Sequence, residues 1–184
     1  MKNRIIVYFI AGLFMQPVLQ AQEKPVFGSQ NFIGMLEGES GTSLQLQTIN
    51  GVRYKSWFAG LGTGLDYYYE RSIPVFLSLN RLMNPTRLPL YLHADAGLNI
   101  PWVPGFVQKQ WGSSRYTPGL YWAGGIGYKF DIGKKCNNAL LLDLGYSYKR
   151  YQKKSDLVFP CLVPPCPSET ERYDYRLRRL SLKL

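Results

Sequence analysis

Residues 56–70 read SWFAGLGTGLDYYYE and alternate between two kinds of side chain at every second position. One parity is apolar and includes Leu61 and Leu65, whereas the other is small or charged and includes Gly62 and Asp66. Successive side chains of a β-strand point to opposite faces. A membrane β-barrel needs an apolar face toward lipid and a small or polar face toward a narrow lumen. The stretch therefore predicts one strand of a transmembrane barrel.

The same alternation recurs along the rest of the chain, most clearly at residues 88–102, where one face is apolar throughout. The predicted strands cover residues 30–37, 43–50, 54–69, 73–82, 88–102, 119–132, 139–151 and 172–184. With 184 residues, the chain is long enough for one domain. The pattern predicts an all-β fold, an eight-stranded antiparallel up-and-down transmembrane β-barrel.

Two local signals refine this prediction. Asn50-Gly51 is a strong signal for a tight turn between the second and third strands. In the last strand, Tyr175 and Leu180 lie on opposite parities although both parities are locally apolar. A one-residue slip flips every following side chain, so we expect a β-bulge near Arg178-Arg179 that keeps the apolar face outward.

The N-terminus has the features of a secretory signal peptide. Lys2 and Arg4 precede an apolar run at residues 5–14, and Ala21 offers a small residue for cleavage. The run is too short for a membrane-spanning helix. We therefore expect a signal peptide at residues 1–21 and an exported barrel domain at residues 22–184.

The connection lengths predict the orientation of the barrel. The connections after the second, fourth and sixth strands are short, whereas the longest ones, residues 103–118 and 152–171, follow the fifth and seventh. Bacterial barrels have short periplasmic turns and longer extracellular loops. The N-terminus is thus predicted to be periplasmic, and aromatic residues fall near both ends of the predicted strands, as expected at membrane interfaces.

The formal net charge is +10, but the cations are spread along the chain, and export argues against a nucleic-acid partner. One local group, Lys149, Arg150, Lys153 and Lys154, falls at the outer end of a predicted strand. Anionic lipopolysaccharide head groups would lie there, although a solvated rim is the plainer interpretation.

The three cysteines divide into a pair and a single residue. Cys161 and Cys166 lie close together in a proline-rich segment, which in an exported protein predicts a disulfide within one loop. Cys136 is left without a predicted partner. A zinc site is a poor alternative because His93 is the only histidine and lies far away in sequence.

Charged residues on the inward parity are predicted to form a network of salt bridges and hydrogen bonds, since buried charges are tolerable only when paired. The predicted lumen network consists of Asp66, His93, Asp95, Lys129, Asp131, Asp143, Lys149, Asp174 and Arg176. Side chains can fill an eight-stranded barrel, and aqueous channels need more strands.

Several segments together resemble a known family. They are INGV at residues 49–52, RSIPVF at 71–76, ADAG at 94–97, AGGIGY at 123–128 and RLSL at 179–182. They resemble outer-membrane β-barrel proteins of Bacteroidota, of the size of small OmpA/OmpX-type barrels, over most of the mature chain. The resemblance implies a location in the cell outer membrane, contact with outer-membrane lipid and lipopolysaccharide, and insertion by barrel-assembly machinery. It implies little chemistry, because such a family is defined by its architecture.

No sequence motif indicates a cofactor, a metal or a catalytic site, so the chain is predicted to be a non-enzymatic barrel with a structural or surface-interaction role. Aromatic and basic residues at 103–118 fit two interpretations: this loop, with the loop at 152–171, contacts an unknown extracellular ligand, or its side chains pack over the barrel mouth. An alternative is a lipid A-modifying enzyme that uses His93, supported by Asp95, with Ser113 or Ser114. Another is a soluble lipocalin-like periplasmic binder, whose apolar face would point inward.

Overall fold

The computed structural model describes residues 24–84, 88–103, 113–132, 138–158 and 168–184. Its strands are antiparallel throughout and form one sheet that closes on itself when β1 pairs with β9. They are β1 (Val26–Gly38), β2 (Gly41–Tyr54), β3 (Trp57–Asp66), β4 (Ser72–Asn84), β5 (Leu88–Pro101), β6 (Ser113–Thr117), β7 (Gly119–Ile132), β8 (Asn138–Val158) and β9 (Ser168–Lys183). All of them except β6 form the barrel wall, which confirms the predicted eight-stranded antiparallel barrel.

The alternation seen in the sequence separates the two faces of the wall. Large apolar side chains point outward and stay exposed, for example Leu61 at 64% and Leu77 at 66%. Side chains of the opposite parity, such as Asp66, Ser78 and Asp95, are buried inside. This arrangement is the reverse of a lipocalin-like carrier, so the structure contradicts the alternative with an inward apolar face.

The first hairpins differ from the prediction because the strands are longer. Asn50 pairs with Ser29 and Gly51 with both Gly28 and Gly60, so the Asn50-Gly51 pair lies inside β2 and makes no turn. The chain turns after Tyr54 instead, where Lys55 adopts a positive φ of 54°. Gly51 serves close packing, because a Cβ there would collide with the backbone of Ala59.

The two ends of the barrel are unequal. The strand ends that flank residues 55–56, 85–87 and 133–137 lie at one end, called here the short-turn end. The strand ends that flank residues 39–40, 67–71, 102–118 and 159–167 lie at the other, the long-loop end. At the long-loop end, β8 continues to Val158 and β9 begins at Ser168, beyond the boundaries predicted for these strands. The short β6, inside the predicted loop, pairs with this part of β8. We call residues 113–117, 150–158 and 168–176 the extension.

The predicted bulge near Arg178-Arg179 is wrong. The β8–β9 register runs without a shift from the pair Asp143–Lys183 to the pair Val158–Ser168. The change of parity has another cause: Tyr175 keeps the inward parity but lies in the extension, where its ring stacks on Tyr151 at 5.0 Å. Apolar side chains of β9 therefore point outward in the barrel wall, as Leu180 does, and inward in the extension, as Tyr175 does, with no shift of register.

Across the described ranges, no helix has the length and apolar character needed to cross a membrane.

Candidate functional site

An apolar cluster occupies part of the barrel interior. It is formed by Phe32, Ile49, Phe58, Phe76, Tyr121 and Ala123. The rings of Phe76 and Tyr121 lie 5.2 Å apart between centroids, and Gln47 donates a 2.9 Å hydrogen bond to the Tyr121 hydroxyl. Gly62 makes room for this cluster, since a Cβ there would collide with the Phe76 ring. The interior is thus partly aromatic, where the sequence predicted a polar filling.

An ion cluster lies on the long-loop side of the interior, and we call it the outer cluster. Its members are Asp66 of β3, Lys149 of β8 and Arg179 of β9, and all three side chains are completely buried. Lys149 Nζ lies 3.1 Å from Asp66 Oδ1, and Arg179 Nη1 contacts Asp66 Oδ2. The Arg179 guanidinium also lies over the Tyr68 ring, 5.5 Å from its centroid. One carboxylate is therefore the ion-pair partner of two cations.

The outer cluster also holds two short connections at the long-loop end. Lys149 Nζ donates hydrogen bonds to the carbonyl oxygens of Tyr68, at 2.7 Å, and Glu70, at 3.1 Å. Between them, Tyr69 adopts a φ of 62°, which a bulky residue rarely does. The Tyr68 hydroxyl accepts a 2.7 Å hydrogen bond from the backbone N–H of Ser40. Hydrogen bonds from the buried Lys149 thus hold the connection at residues 67–71, and a hydrogen bond to the buried Tyr68 holds the connection at residues 39–40.

A second group of charges, the inner cluster, surrounds His93. His93 Nδ1 lies 2.7 Å from Asp143 Oδ2, and its Nε2 lies 3.9 Å from Asp95 Oδ2. Lys183 Nζ lies 3.8 Å from Asp143 Oδ1. Gly125 leaves space for the imidazole, because a Cβ there would come within 2.8 Å of His93 Cε1. The imidazole is therefore enclosed between two carboxylates and the wall.

The buried charges of the two clusters balance among the described residues. The interior holds three buried carboxylates, Asp66, Asp95 and Asp143, and three buried cations, Lys149, Arg179 and Lys183. Burial of a charge is costly unless a partner of opposite sign compensates it. The balance explains how the wall can enclose these residues, and it fits a structural role for both clusters.

Three predicted lumen residues lie elsewhere. Asp131 lies near the end of β7 at the short-turn end, 2.5 Å from Lys129 Nζ, with its side chain 38% exposed. The prediction that Asp174 and Arg176 point into the lumen is wrong, because the unshifted register of β9 turns both outward. Asp174 accepts two 2.9 Å hydrogen bonds from Arg150 and two, of 3.2 and 3.1 Å, from Arg176 on that outer face.

The sequence prediction omits two of the buried cations, Arg179, which lies at the expected bulge, and Lys183, which alternates with the outward Leu182 and Leu184. It also missed the hydrogen bond from Asn80 Nδ2 to Gln30 Oε1, at 2.9 Å. The aromatic part of the interior was visible in the sequence, since Phe58 and Phe76 share parity with the glycines and serines of their strands.

The residues of the enzyme alternative are far apart. His93 pairs with Gly125, which pairs with Gly145 of β8, whereas Ser114 pairs with Ser155 of β8. The stretch of β8 between these two levels spans roughly 33 Å at about 3.3 Å per residue. A histidine base must reach its serine within hydrogen-bond distance, so His93 and Ser114 do not form a nucleophile–base pair.

Several predictions concern residues that the structure does not describe. These are the signal peptide at residues 1–21, the disulfide between Cys161 and Cys166, and Cys136. Residues 104–112 of the first long loop and 159–167 of the second also lie outside the described ranges.

No protein-family model and no curated protein matches this chain. Among solved structures, the chain is similar to outer membrane protein AlkL, determined by solid-state NMR in DMPC lipid bilayers. The two are 12% identical, the match covers 92% of this chain and 94% of the other, and the TM-score is 0.44. At this level of similarity the comparison supports no functional argument.

Proposed function

We propose that this protein is an integral β-barrel of the cell outer membrane, with a filled lumen and a structural or surface-interaction role. The observation that carries the proposal is a distribution of polarity opposite to that of a water-soluble protein: apolar side chains cover the outside of the barrel wall, and charged side chains are enclosed within it. Soluble proteins rarely expose an apolar patch larger than a few hundred Å². A surface of this kind is stable when lipid covers it.

Aromatic side chains at both ends support the same assignment. Trp57 and Phe130 are exposed toward the short-turn end, and Tyr67, Trp102 and Trp122 toward the long-loop end. Such rings favour the two interfaces of a bilayer because they combine an apolar body with a polar or polarisable part. With the long-loop end extracellular, the short turns are periplasmic, as in bacterial barrels.

The filled interior supports a non-catalytic role. The apolar cluster and the two ion clusters lie inside the wall, and His93 is enclosed between carboxylates. The proposed partners are outer-membrane lipid and lipopolysaccharide, the barrel-assembly machinery during insertion, and an extracellular ligand at residues 103–118 and 152–171. The resemblance to outer-membrane barrels of Bacteroidota favours this group of partners.

A single substitution on the outer face tests the membrane location. Leu77 is 66% exposed and lies on the outward face of β4, paired with Leu61 and Ala96. In lipid, Leu77→Arg should lower the free energy of unfolding by about 2–4 kcal/mol, because the guanidinium enters hydrocarbon. In water, an exposed substitution of this kind changes stability by no more than about 0.5 kcal/mol. The measurement is denaturant unfolding in phosphatidylcholine vesicles.

Gln152→Arg is the matched control. Gln152 is exposed on the same outward face of β8 but lies beyond the aromatic side chains, in the extension. The same cation placed there should leave stability within about 0.5 kcal/mol of the wild type. Equal, small effects of both substitutions would contradict a membrane location for Leu77.

A further inference from the structure

Three strands of the extension place three cations side by side. Arg115 of β6 is paired with Lys154 of β8, and Lys154 is paired with Arg172 of β9. Side chains at directly opposed positions share one face of a sheet, with Cβ atoms roughly 5 Å apart. All three residues are exposed. We call Arg115, Lys154 and Arg172 the cation row.

No ion pair joins the cation row to a carboxylate among the described residues. Of the two aspartates on the neighbouring outward levels, Asp174 is engaged by Arg150 and Arg176, and Asp156 accepts a hydrogen bond from Thr170. Like charges directly opposite each other destabilise a sheet, and at this spacing they lie within the Debye length of about 8 Å at physiological ionic strength. An external anion would remove this repulsion.

The surroundings of the row favour the same kind of partner. Arg150, Arg176 and Arg178 follow on the same outward face toward the barrel wall, so cations there outnumber the carboxylates. Arginine can bind phosphate through two parallel hydrogen bonds, and lysine binds it as a point charge. Two arginines flanking a lysine therefore suit a phosphate-bearing surface.

The height of the row decides which phosphates it can meet. The ring of Tyr148 stacks on Trp122 among the aromatic side chains that mark the membrane interface. From Tyr148 to Lys154, β8 spans roughly 20 Å, or about 15 Å along the membrane normal for a strand tilted by about 40°. The head-group layer of a bilayer is only about 5–8 Å thick on each side. The row therefore stands above the phosphates of a phospholipid.

We propose that the cation row binds phosphate groups on the sugar core of an outer-leaflet glycolipid, lipopolysaccharide. This inference rests on the proposed membrane location, with the long-loop end outside. The row would anchor the extension to the glycolipid layer beside the barrel, and the aromatic residues below it would contact the acyl-chain boundary.

The test is a binding titration of the detergent-folded barrel with fluorescently labelled lipopolysaccharide that carries a phosphorylated core. The variant Arg115→Gln, Lys154→Gln, Arg172→Gln should bind at least tenfold more weakly than the wild type, since each basic residue near an anionic surface contributes about 1 kcal/mol and 1.4 kcal/mol corresponds to tenfold. Lipopolysaccharide with a dephosphorylated core should bind the wild type as weakly as the intact form binds the variant. Lipid A alone should bind both proteins equally.

A control variant removes the same charge from the opposite end. Arg53→Gln, Lys55→Asn, Arg81→Gln alters three exposed cations at the short-turn end and should retain wild-type binding within about threefold. The inference is overturned if the row variant binds like the wild type, if the control loses as much affinity, or if lipid A alone discriminates the row variant equally. Both variants are first checked on a denaturing gel, where an unboiled folded barrel migrates as a compact band and boiling shifts it. This folded band depends on the barrel and not on the row. A normal folded band with unchanged binding refutes this inference alone, whereas loss of that band from the wild type refutes the proposed function.

Discussion

Asp66 is the residue on which the outer cluster depends. It is the carboxylate partner of both Lys149 and Arg179, and it accepts a 2.8 Å hydrogen bond from the backbone N–H of Tyr68. The two cations come from β8 and β9, so this carboxylate links three strands across the lumen. Its removal leaves two buried cations without a carboxylate partner, and an uncompensated buried charge is one of the few causes of a large effect from a single substitution.

Asp66→Asn should lower the free energy of unfolding by about 3–5 kcal/mol, because an uncompensated buried charge is far more costly than a lost surface pair. Asp131→Asn is the control, since Asp131 pairs with Lys129 at an exposed site and should contribute less than about 1 kcal/mol. The measurement is denaturant unfolding of both variants in the same vesicles. Equal losses for the two variants would show that the outer cluster does not stabilise the barrel as described.

At this scale, parity alone identifies most of the buried ions. Asp66, Asp95, Asp143 and Lys149 lie inside because they share the phase of the glycines on their strands. It fails for Arg179, whose strand carries apolar residues on both parities. Which parity of β9 is apolar depends on whether the residues lie in the barrel wall or in the extension. The pairing of β8 with β9 sets that boundary, and it cannot be read from the sequence of β9 alone.

At the scale of elements, the sequence predicts strands better than it predicts where they stop. The continuous alternation of β5 and β7 gives nearly correct boundaries, whereas the polar ends of β8 and β9 resemble loop sequence. Backbone pairing between two long strands needs no apolar face, so hydrophobic periodicity cannot detect it. For the same reason, the Asn50-Gly51 turn signal is overridden by the ladder between β1, β2 and β3.

An ion network of Arg150, Asp174 and Arg176 joins β8 to β9 on the outer face of the extension, and its contribution to stability depends on pH. Hydrogen bonds from Arg150, together with those from Arg176, hold the pKa of Asp174 below its ordinary value. The folded pKa is lower than the unfolded one, so the network stabilises the extension above the ordinary pKa of aspartate. That contribution is lost as the pH falls through the lowered value. We expect the amide protection factors of residues 150–158 and 168–176, which correct for the intrinsic pH dependence of exchange, to fall in that acidic window.

Arg150→Gln isolates the cause. It removes the first partner of Asp174, so the pKa of Asp174, followed by NMR titration of its carboxyl carbon, should rise toward its ordinary value. Arg178→Gln is the control, because Arg178 lies on the same face but makes no described contact with Asp174. A pKa that is unchanged in Arg150→Gln would contradict the network.

At the scale of the whole molecule, the closed sheet, the apolar exterior and the balanced interior are consequences of one repeated pattern of period two. The fold class was predictable because every strand of the wall repeats that pattern and closure leaves no edge open within the wall. The content of the lumen was predictable only in part, since partners come from strands distant in sequence, as Asp66 and Arg179 do. The role at the long-loop end depends on the extension, which periodicity did not detect.

Heat-modifiability of the membrane fraction on a denaturing gel tests most directly whether the protein is a folded barrel in the outer membrane. A closed barrel resists the detergent until it is boiled, because its backbone hydrogen bonds leave no edge from which unfolding can start. We predict that unboiled protein from the outer-membrane fraction migrates as a compact folded band and that boiling shifts it to the mobility of the unfolded chain. Recovery of the protein in the soluble periplasmic fraction, with the same mobility before and after boiling, would contradict the account.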